Sequence, residues 1–360
     1  MPDLFDYLAW RGDLPLAQVP FGAVDALALT TLAYLQFDGL LDADATLQDA
    51  ASAYFALDET QRHARRRVEK DEQLLRTMAD SDRFGTLPVR LCCGRLDAAA
   101  ESQFGAMTVL LPKGLMVAFR GTDNTLIGWK EDFNLGFLDT IPAQWAARDY
   151  LEQAAAQFSG PVYVGGHSKG GNLAVFAAAG AKCRRRIRTV YNHDGPGFSR
   201  ALFETAQFRA IAPKVESYVP ESSVVGMLLA HEEDYTVVRS SQHGILQHDP
   251  YSWQIQGGDF IRAETVSDGS RLISSTLRQW LSELSAAERE QFVEDLFAAL
   301  TDANAENLED FTDLKTVTAV LQNLLRTTRD SGVVRDALGR LGRAGWRAAA
   351  ALLREKEGQE

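Results

Sequence analysis

The chain has no long apolar run. Nothing in its 360 residues approaches the roughly 18 consecutive apolar residues of a transmembrane helix, so no segment is expected to span a bilayer. Cysteine is scarce: Cys92, Cys93 and Cys183 are too few and wrongly spaced for a zinc site or a disulfide framework, and buried reduced thiols are expected. The opening Met1-Pro-Asp-Leu-Phe-Asp6 lacks a charged region followed by an apolar one, so no signal peptide is visible and a cytoplasmic location is expected. Positive charge is in deficit, with 37 basic against 49 acidic residues and a net charge of −12, which disfavours non-specific nucleic-acid binding. The two arginine runs, Arg65–Arg67 and Arg184–Arg186, have no aromatic residues among them and read as solvated faces.

What is present is an ordinary soluble composition, 46% hydrophobic, in a chain longer than one average domain. Residues 1–85 read as a helical segment packed on the core. Val24, Leu27, Leu29, Leu32, Leu35 and Leu40 recur at near-helical spacing, and Glu59–Ala79 reads as a second, charged helix. From Leu87 short apolar runs alternate with turns. Strands are expected at Thr108–Leu111 and Met116–Arg120 around a Pro112-Lys-Gly114 hairpin, then at Val162–Gly165, Thr189–Asn192, Val215–Val219 and Tyr235–Ser240. Helices between them, near Ala143–Gln157 and Asn172–Ala179, imply an α/β core over residues 86–262, with a mostly parallel sheet covered on both faces. Residues 263–360 read as a helical extension: Ser285-Ala-Ala-Glu288 is a capping box opening Glu288–Leu300, followed by a helix near Leu314–Thr328 and an Ala/Arg-rich tail to about Arg354.

The chemistry concentrates at Gly166-His-Ser-Lys-Gly170, a G-x-S-x-G turn between a strand and a helix. A turn this sharp strains the serine, lifts its hydroxyl above the sheet edge and needs glycine two residues to either side. Roughly 0.1 to 0.2 such matches are expected by chance in a chain of this length, so the flanking strand and helix carry the reading. A serine nucleophile needs a base, and the base an orienting acid, in the order serine, acid, histidine. Of the histidines after Ser168, His193 adjoins a strand end and reads as a packed or capping residue, and His231 precedes a strand and belongs on the far side. His243 and His248 lie in the loop after the last strand. His248 is favoured because Pro250 and the aromatics beside it stiffen its loop, with His243 the alternative base. Asp194, after the strand that follows the nucleophile, is the favoured acid, and Glu221, one strand later, the alternative. The backbone N–H of Lys169 and a donor from the strand and loop Val117-Ala-Phe-Arg-Gly-Thr-Asp123, where Thr122 also offers a hydroxyl, would make an oxyanion hole, although Arg120-Gly-Thr-Asp123 by itself reads as a strand-ending turn.

Phe119–Thr122 with Gly166–Gly170 resembles the paired F-R-G-[ST] and G-H-S-x-G motifs of the class 3 (fungal-type) lipases, a branch of the α/β-hydrolases. The opening Phe5–Asp13, the Gly166–Gly171 elbow and Asp194-Gly-Pro-Gly-Phe198 are similar, more closely, to a lipase-like family of bacterial proteins; this likeness covers roughly residues 3–260. The resemblance implies an α/β-hydrolase fold and ester hydrolysis, and names no substrate. It also implies a lid after the oxyanion motif, at residues 124–135, although a helix packed permanently on the core would read the same. The lipase branch usually carries its acid after the later strand, where this chain has Glu221-Ser-Ser223.

The expectation is a serine hydrolase acting on small-molecule or lipid esters with no metal or organic cofactor. An inactive hydrolase-fold binding or scaffold protein, and an acyltransferase or thioesterase using the same site, remain open. Peripheral contact of the C-terminal helices with a membrane also remains open, as do the oligomeric state and the role of Lys169, a charged side chain that ester cleavage does not require.

Overall fold

The computed structural model describes residues 1–136, 138–229 and 234–301, together with positions 336, 339, 340 and 343. His231, the expected helix near Leu314–Thr328 and the tail to Arg354 lie outside the described residues. Seven strands form one sheet in chain order: β1 (Val89–Asp97), β2 (Ser102–Leu111), β3 (Gly114–Phe119), β4 (Val162–His167), β5 (Ile187–His193), β6 (Val215–Pro220) and β7 (Tyr235–Val238). β1 to β3 pair antiparallel, and β3 to β7 pair parallel. This mostly parallel sheet with its helices is an α/β-hydrolase-type fold. β1 escapes sequence reading because it is an edge strand, half-buried to exposed after Val89, with Arg, Gly and Cys where apolar alternation would be expected.

Five helices precede the sheet: α1 (Leu4–Arg11), α2 (Ala23–Leu32), α3 (Leu47–Phe55), α4 (Glu59–His63) and α5 (Glu69–Ala79). Then follow α6 (Leu126–Asn134), α7 (Pro142–Gln157), α8 (Lys169–Gly180), α9 (Arg200–Phe203) and α10 (Ala206–Ile211). A two-strand ribbon, β8 (Ile255–Gln256) with β9 (Asp259–Phe260), leads to α11 (Asp268–Ser282) and α12 (Ala286–Thr301), the latter opened by the expected Ser285–Glu288 capping box.

The strands divide their side chains between two cores by period-two alternation. Leu115, Val117 and Phe119 of β3 and Val162 and Val164 of β4 pack under α7, α8 and α10. Met116, Ala118, Tyr191 and Tyr218 face the other way, onto α1, α2, α3 and α5. The strand order from β3 to β7 never reverses, so crossovers of one hand all fall on one face. The N-terminal helices therefore supply the cover that alternation alone would leave missing. α2 is buried along its whole length from Val24 to Leu32, as a helix between the sheet and other helices must be.

Three sequence expectations change. The helix over Glu59–Ala79 is two helices, because Asp71 accepts hydrogen bonds from the backbone N–H groups of Arg67 and Val68 and so starts α5 afresh. The arginine runs are not merely solvated. Arg65 donates to the carbonyls of Gln36 and Asp38, Arg66 pairs with Glu72 at 2.6 Å, and the Arg67 guanidinium lies 3.9 Å over the Tyr34 ring. Arg184 and Arg186 hold carbonyls around the ends of α7 and α8, where cations complement the helix dipole. The three cysteines are free thiols as expected, but half-buried rather than buried. Among the described residues no helix is long and apolar enough to cross a membrane.

Candidate active site

Ser168 caps α8 at the end of β4 with φ 58° and ψ −134°, a left-handed backbone that an L-residue adopts only under constraint. The constraint is visible. A Cβ on Gly166 would stand 2.0 Å from the Gly170 backbone, and one on Gly170 would stand 2.3 Å from the Phe119 carbonyl oxygen. The Ser168 N–H donates to the His193 carbonyl at 2.9 Å, tying the elbow to β5. Gly121 closes the approach from β3: a Cβ there would meet the Tyr34 hydroxyl, the His167 carbonyl and Ser168 Cβ. Glycine in Phe119-Arg-Gly-Thr122 thus lets the loop after β3 lie against the elbow.

His248 and Asp194 meet: His248 Nδ1 is 2.6 Å from Asp194 Oδ2, with the Asp194 side chain fully buried and that of His248 about a quarter exposed. Asp194 leaves β5 with φ 53°, and its other oxygen accepts from Ser223 Oγ at 2.5 Å and Gly226 N–H at 3.2 Å. The loop after β6, the site of the alternative acid, thus contributes Ser223 as support for Asp194. Glu221 is half-buried, and the hydrogen bonds shown for it run through its backbone to Val238 and Ser267. His243 is exposed and is not joined to Asp194. His193 is packed, stacked between Tyr191 and Tyr218, and burial pushes its pKa down to about 3.

His167 went unread in the sequence. It is fully buried, donates from Nε2 to the His248 carbonyl at 2.8 Å, and therefore accepts at Nδ1 from the Tyr34 hydroxyl at 2.9 Å. Burial holds its pKa well below the usual histidine range, and the nearby His248 adds to that, so the neutral tautomer persists. Burial likewise pushes Tyr34 up to about 12, which keeps its hydroxyl a donor. The residue before Ser168 thus clasps the backbone of the histidine loop.

Lys169 points away from solvent. Its ammonium donates to Gln103 O at 3.0 Å, Gln103 Oε1 at 2.9 Å and Glu131 Oε2 at 2.7 Å, and both charged side chains are fully buried. Thr122 Oγ1 donates to Asp132 Oδ2 at 2.5 Å. Burial raises Asp132 to about 6, against the lowering effect of Lys169 and the Thr122 hydrogen bond. Residues 124–135, the expected lid, are chiefly α6, whose buried face is Gly128, Glu131 and Asn134. On its outer side Phe133 meets Phe297 edge-on at 5.6 Å, and Lys130 bridges Glu101 and Glu294. The i, i+3, i+6 spacing of Gly128, Glu131 and Asn134 was the available signal that an acid lies on the inner face. Among the described residues no cluster of His, Cys, Asp and Glu suits a metal ion.

Comparison with known proteins adds a family. No curated protein matches the chain. Among solved structures, the Rhizomucor miehei lipase propeptide complex is similar over 42% of this chain and 57% of that one, at 17% identity and a TM-score of 0.32. M37 lipase is similar over 57% of this chain and 69% of that one, at 13% identity and a TM-score of 0.36. The match thus spans little more than half the length of the first of these lipases. The Mbeg1-like family model matches residues 78–298, from the end of α5 through the whole sheet to α12. The chain belongs to the Mbeg1-like family.

Proposed function

We propose that the protein is a serine hydrolase of carboxylic esters, with small-molecule or lipid esters as its substrates. One observation carries the reading: a left-handed Ser168 at the β4–α8 elbow, with the His248–Asp194 pair held at 2.6 Å and the histidine loop clasped to the residue before the serine. In this reading Ser168 Oγ attacks the ester carbonyl, His248 takes the hydroxyl proton and returns it to the leaving alcohol, and Asp194 at Nδ1 orients the imidazole and stabilises its cation. The Lys169 N–H is at the first residue of α8 and has no intrahelical acceptor, so it is free to face the oxyanion, with the Thr122 backbone N–H as the second donor, since the Thr122 hydroxyl already donates to Asp132. An acyl-enzyme forms, and water releases the acid. The Asp194–His248 contact weighs against an inactive scaffold, since a binding protein has no need of an imidazole held against a buried carboxylate. A fluorophosphonate probe tests the reading: it should label wild-type protein at Ser168 and fail with Ser168→Ala. A folded wild-type protein that resists labelling and hydrolyses no short-chain 4-nitrophenyl ester would sink it.

A further inference from the structure

The Lys169–Glu131 pair is the feature that ester chemistry leaves unexplained. Removing two charges from water carries a desolvation penalty that their attraction offsets only in good geometry, and an apolar side chain would fill the same slot without it. The geometry is good. Lys169 uses all three of its N–H groups, two on Gln103 and one on Glu131. Glu131 uses both oxygens: Oε2 also accepts the Gln103 N–H at 3.0 Å, and Oε1 accepts the Ala143 N–H at 3.1 Å. One buried carboxylate therefore joins β2, α6, the start of α7 and the first residue of α8.

That first residue is the one whose backbone N–H faces the reacting carbonyl in the reading above. The direction of the 168–169 peptide follows from how residue 169 is held, and its side chain is anchored at three points. The next residue of α6, Asp132, holds the Thr122 hydroxyl, so adjacent residues of one helix reach toward both oxyanion donors. We propose that Glu131 is a positioning residue: through Lys169 it orients the backbone N–H beside Ser168, and it pins α6 as a fixed wall of the site instead of a lid that swings open. The catalytic half of this inference rests on the ester-hydrolysis reading; the pinning of α6 does not.

The test uses the full chain and the charge-neutral double variant Lys169→Met with Glu131→Gln. Lys169→Met alone leaves the buried Glu131 without its cation, and Glu131→Gln alone leaves Lys169 only the Asp132 carboxylate at 3.9 Å, whereas the double change keeps the slot filled. With a short-chain 4-nitrophenyl ester, the folded double variant should lose about tenfold to a hundredfold in kcat, as a displaced oxyanion donor does, while KM stays within about threefold. A folded double variant whose kcat stays within about twofold of wild type overturns the positioning role. Amide hydrogen exchange judges the pinning without any turnover. In wild type the amides of Leu126–Asn134 should exchange as slowly as those of Pro142–Gln157, and in the double variant about tenfold faster. Wild-type α6 exchanging as fast as the exposed stretch 241–246, or no difference between the two proteins, overturns the inference. If wild type cleaves no ester and takes no fluorophosphonate, the ester reading falls by itself, and exchange alone decides the role of Glu131.

Discussion

His167 and Lys169 stand on either side of Ser168 and are equally buried, but they are held by opposite means. His167 is neutral. It is fixed by two hydrogen bonds, to Tyr34 from the N-terminal layer and to the His248 backbone in the last loop. Lys169 carries a charge and is fixed by a buried carboxylate and an amide from the opposite side of the elbow. A neutral clasp costs little to bury and joins segments far apart in sequence. A charged anchor costs more to bury, but it resists displacement, since any shift leaves a charge unpaired. The elbow is thus gripped from both layers of the molecule, by neutral hydrogen bonds on one flank and by a buried ion pair on the other.

The largest expected effect removes the atom that both flanks serve. Ser168→Ala should lower kcat/KM for a short-chain ester by about 10⁴-fold or more with the fold intact, measured by ester turnover and near-ultraviolet circular dichroism. Asp194→Asn leaves the shape of the neutral flank but offers His248 the wrong partner, and about a 10³-fold loss in kcat is expected. Unchanged kcat would move the acid to another residue, with Glu221 the first to test by Glu221→Gln. Gly166→Ala forces the two flanks apart where a Cβ would stand 2.0 Å from Gly170, and chemical denaturation should show about 3 kcal/mol of lost stability.

The smaller effects belong to the neutral flank. Folded protein keeps His193 neutral down to about pH 3, while the unfolded chain takes up that proton near pH 6.5. Between those values the unfolded state binds the extra proton, so stability falls as pH falls, by about 1.4 kcal/mol per pH unit from this residue. His193→Phe fills the stack between Tyr191 and Tyr218 and should remove that slope, seen as denaturation curves at pH 6 and pH 4 that lie closer together than in wild type. Tyr34→Phe deletes one hydrogen bond to His167 and should cost about 1 kcal/mol of stability. Unchanged stability there would mean that the clasp on the histidine loop is held by the His167–His248 contact alone.

Much of the architecture was legible. Apolar runs between turns located the end of β2 and β3 to β7, because strands buried on both faces read as short continuous apolar segments, and the G-x-S-x-G spacing located the elbow because only glycine fits beside it. β1 was missed because an edge strand half open to solvent has no such pattern. The break in Glu59–Ala79 was missed because Asp71, which causes it, looks in sequence like any other acid on a charged helix. The arginine runs were misjudged for a related reason: Arg65, Arg184 and Arg186 donate to carbonyls at helix ends and turns, which no side-chain pattern announces. The Asp194–His248 contact brings together positions 54 residues apart, and sequence order left Glu221 and His243 as alternatives.

By itself, the sequence determined where the strained turn must form, since Gly166 and Gly170, two residues to either side of Ser168, leave no room for a Cβ between them. It also determined the two-sided burial of the sheet, through the unbroken apolar runs of β3 and the start of β4. Tertiary structure alone decided what surrounds Ser168. The partner of Lys169 lies 38 residues away on α6, and the partner of His167 lies 133 residues away just past α2. The reason is physical: steric limits on a backbone are local and can be read from neighbours, whereas hydrogen bonds and buried charges are satisfied by whatever the packed chain brings within 3 Å.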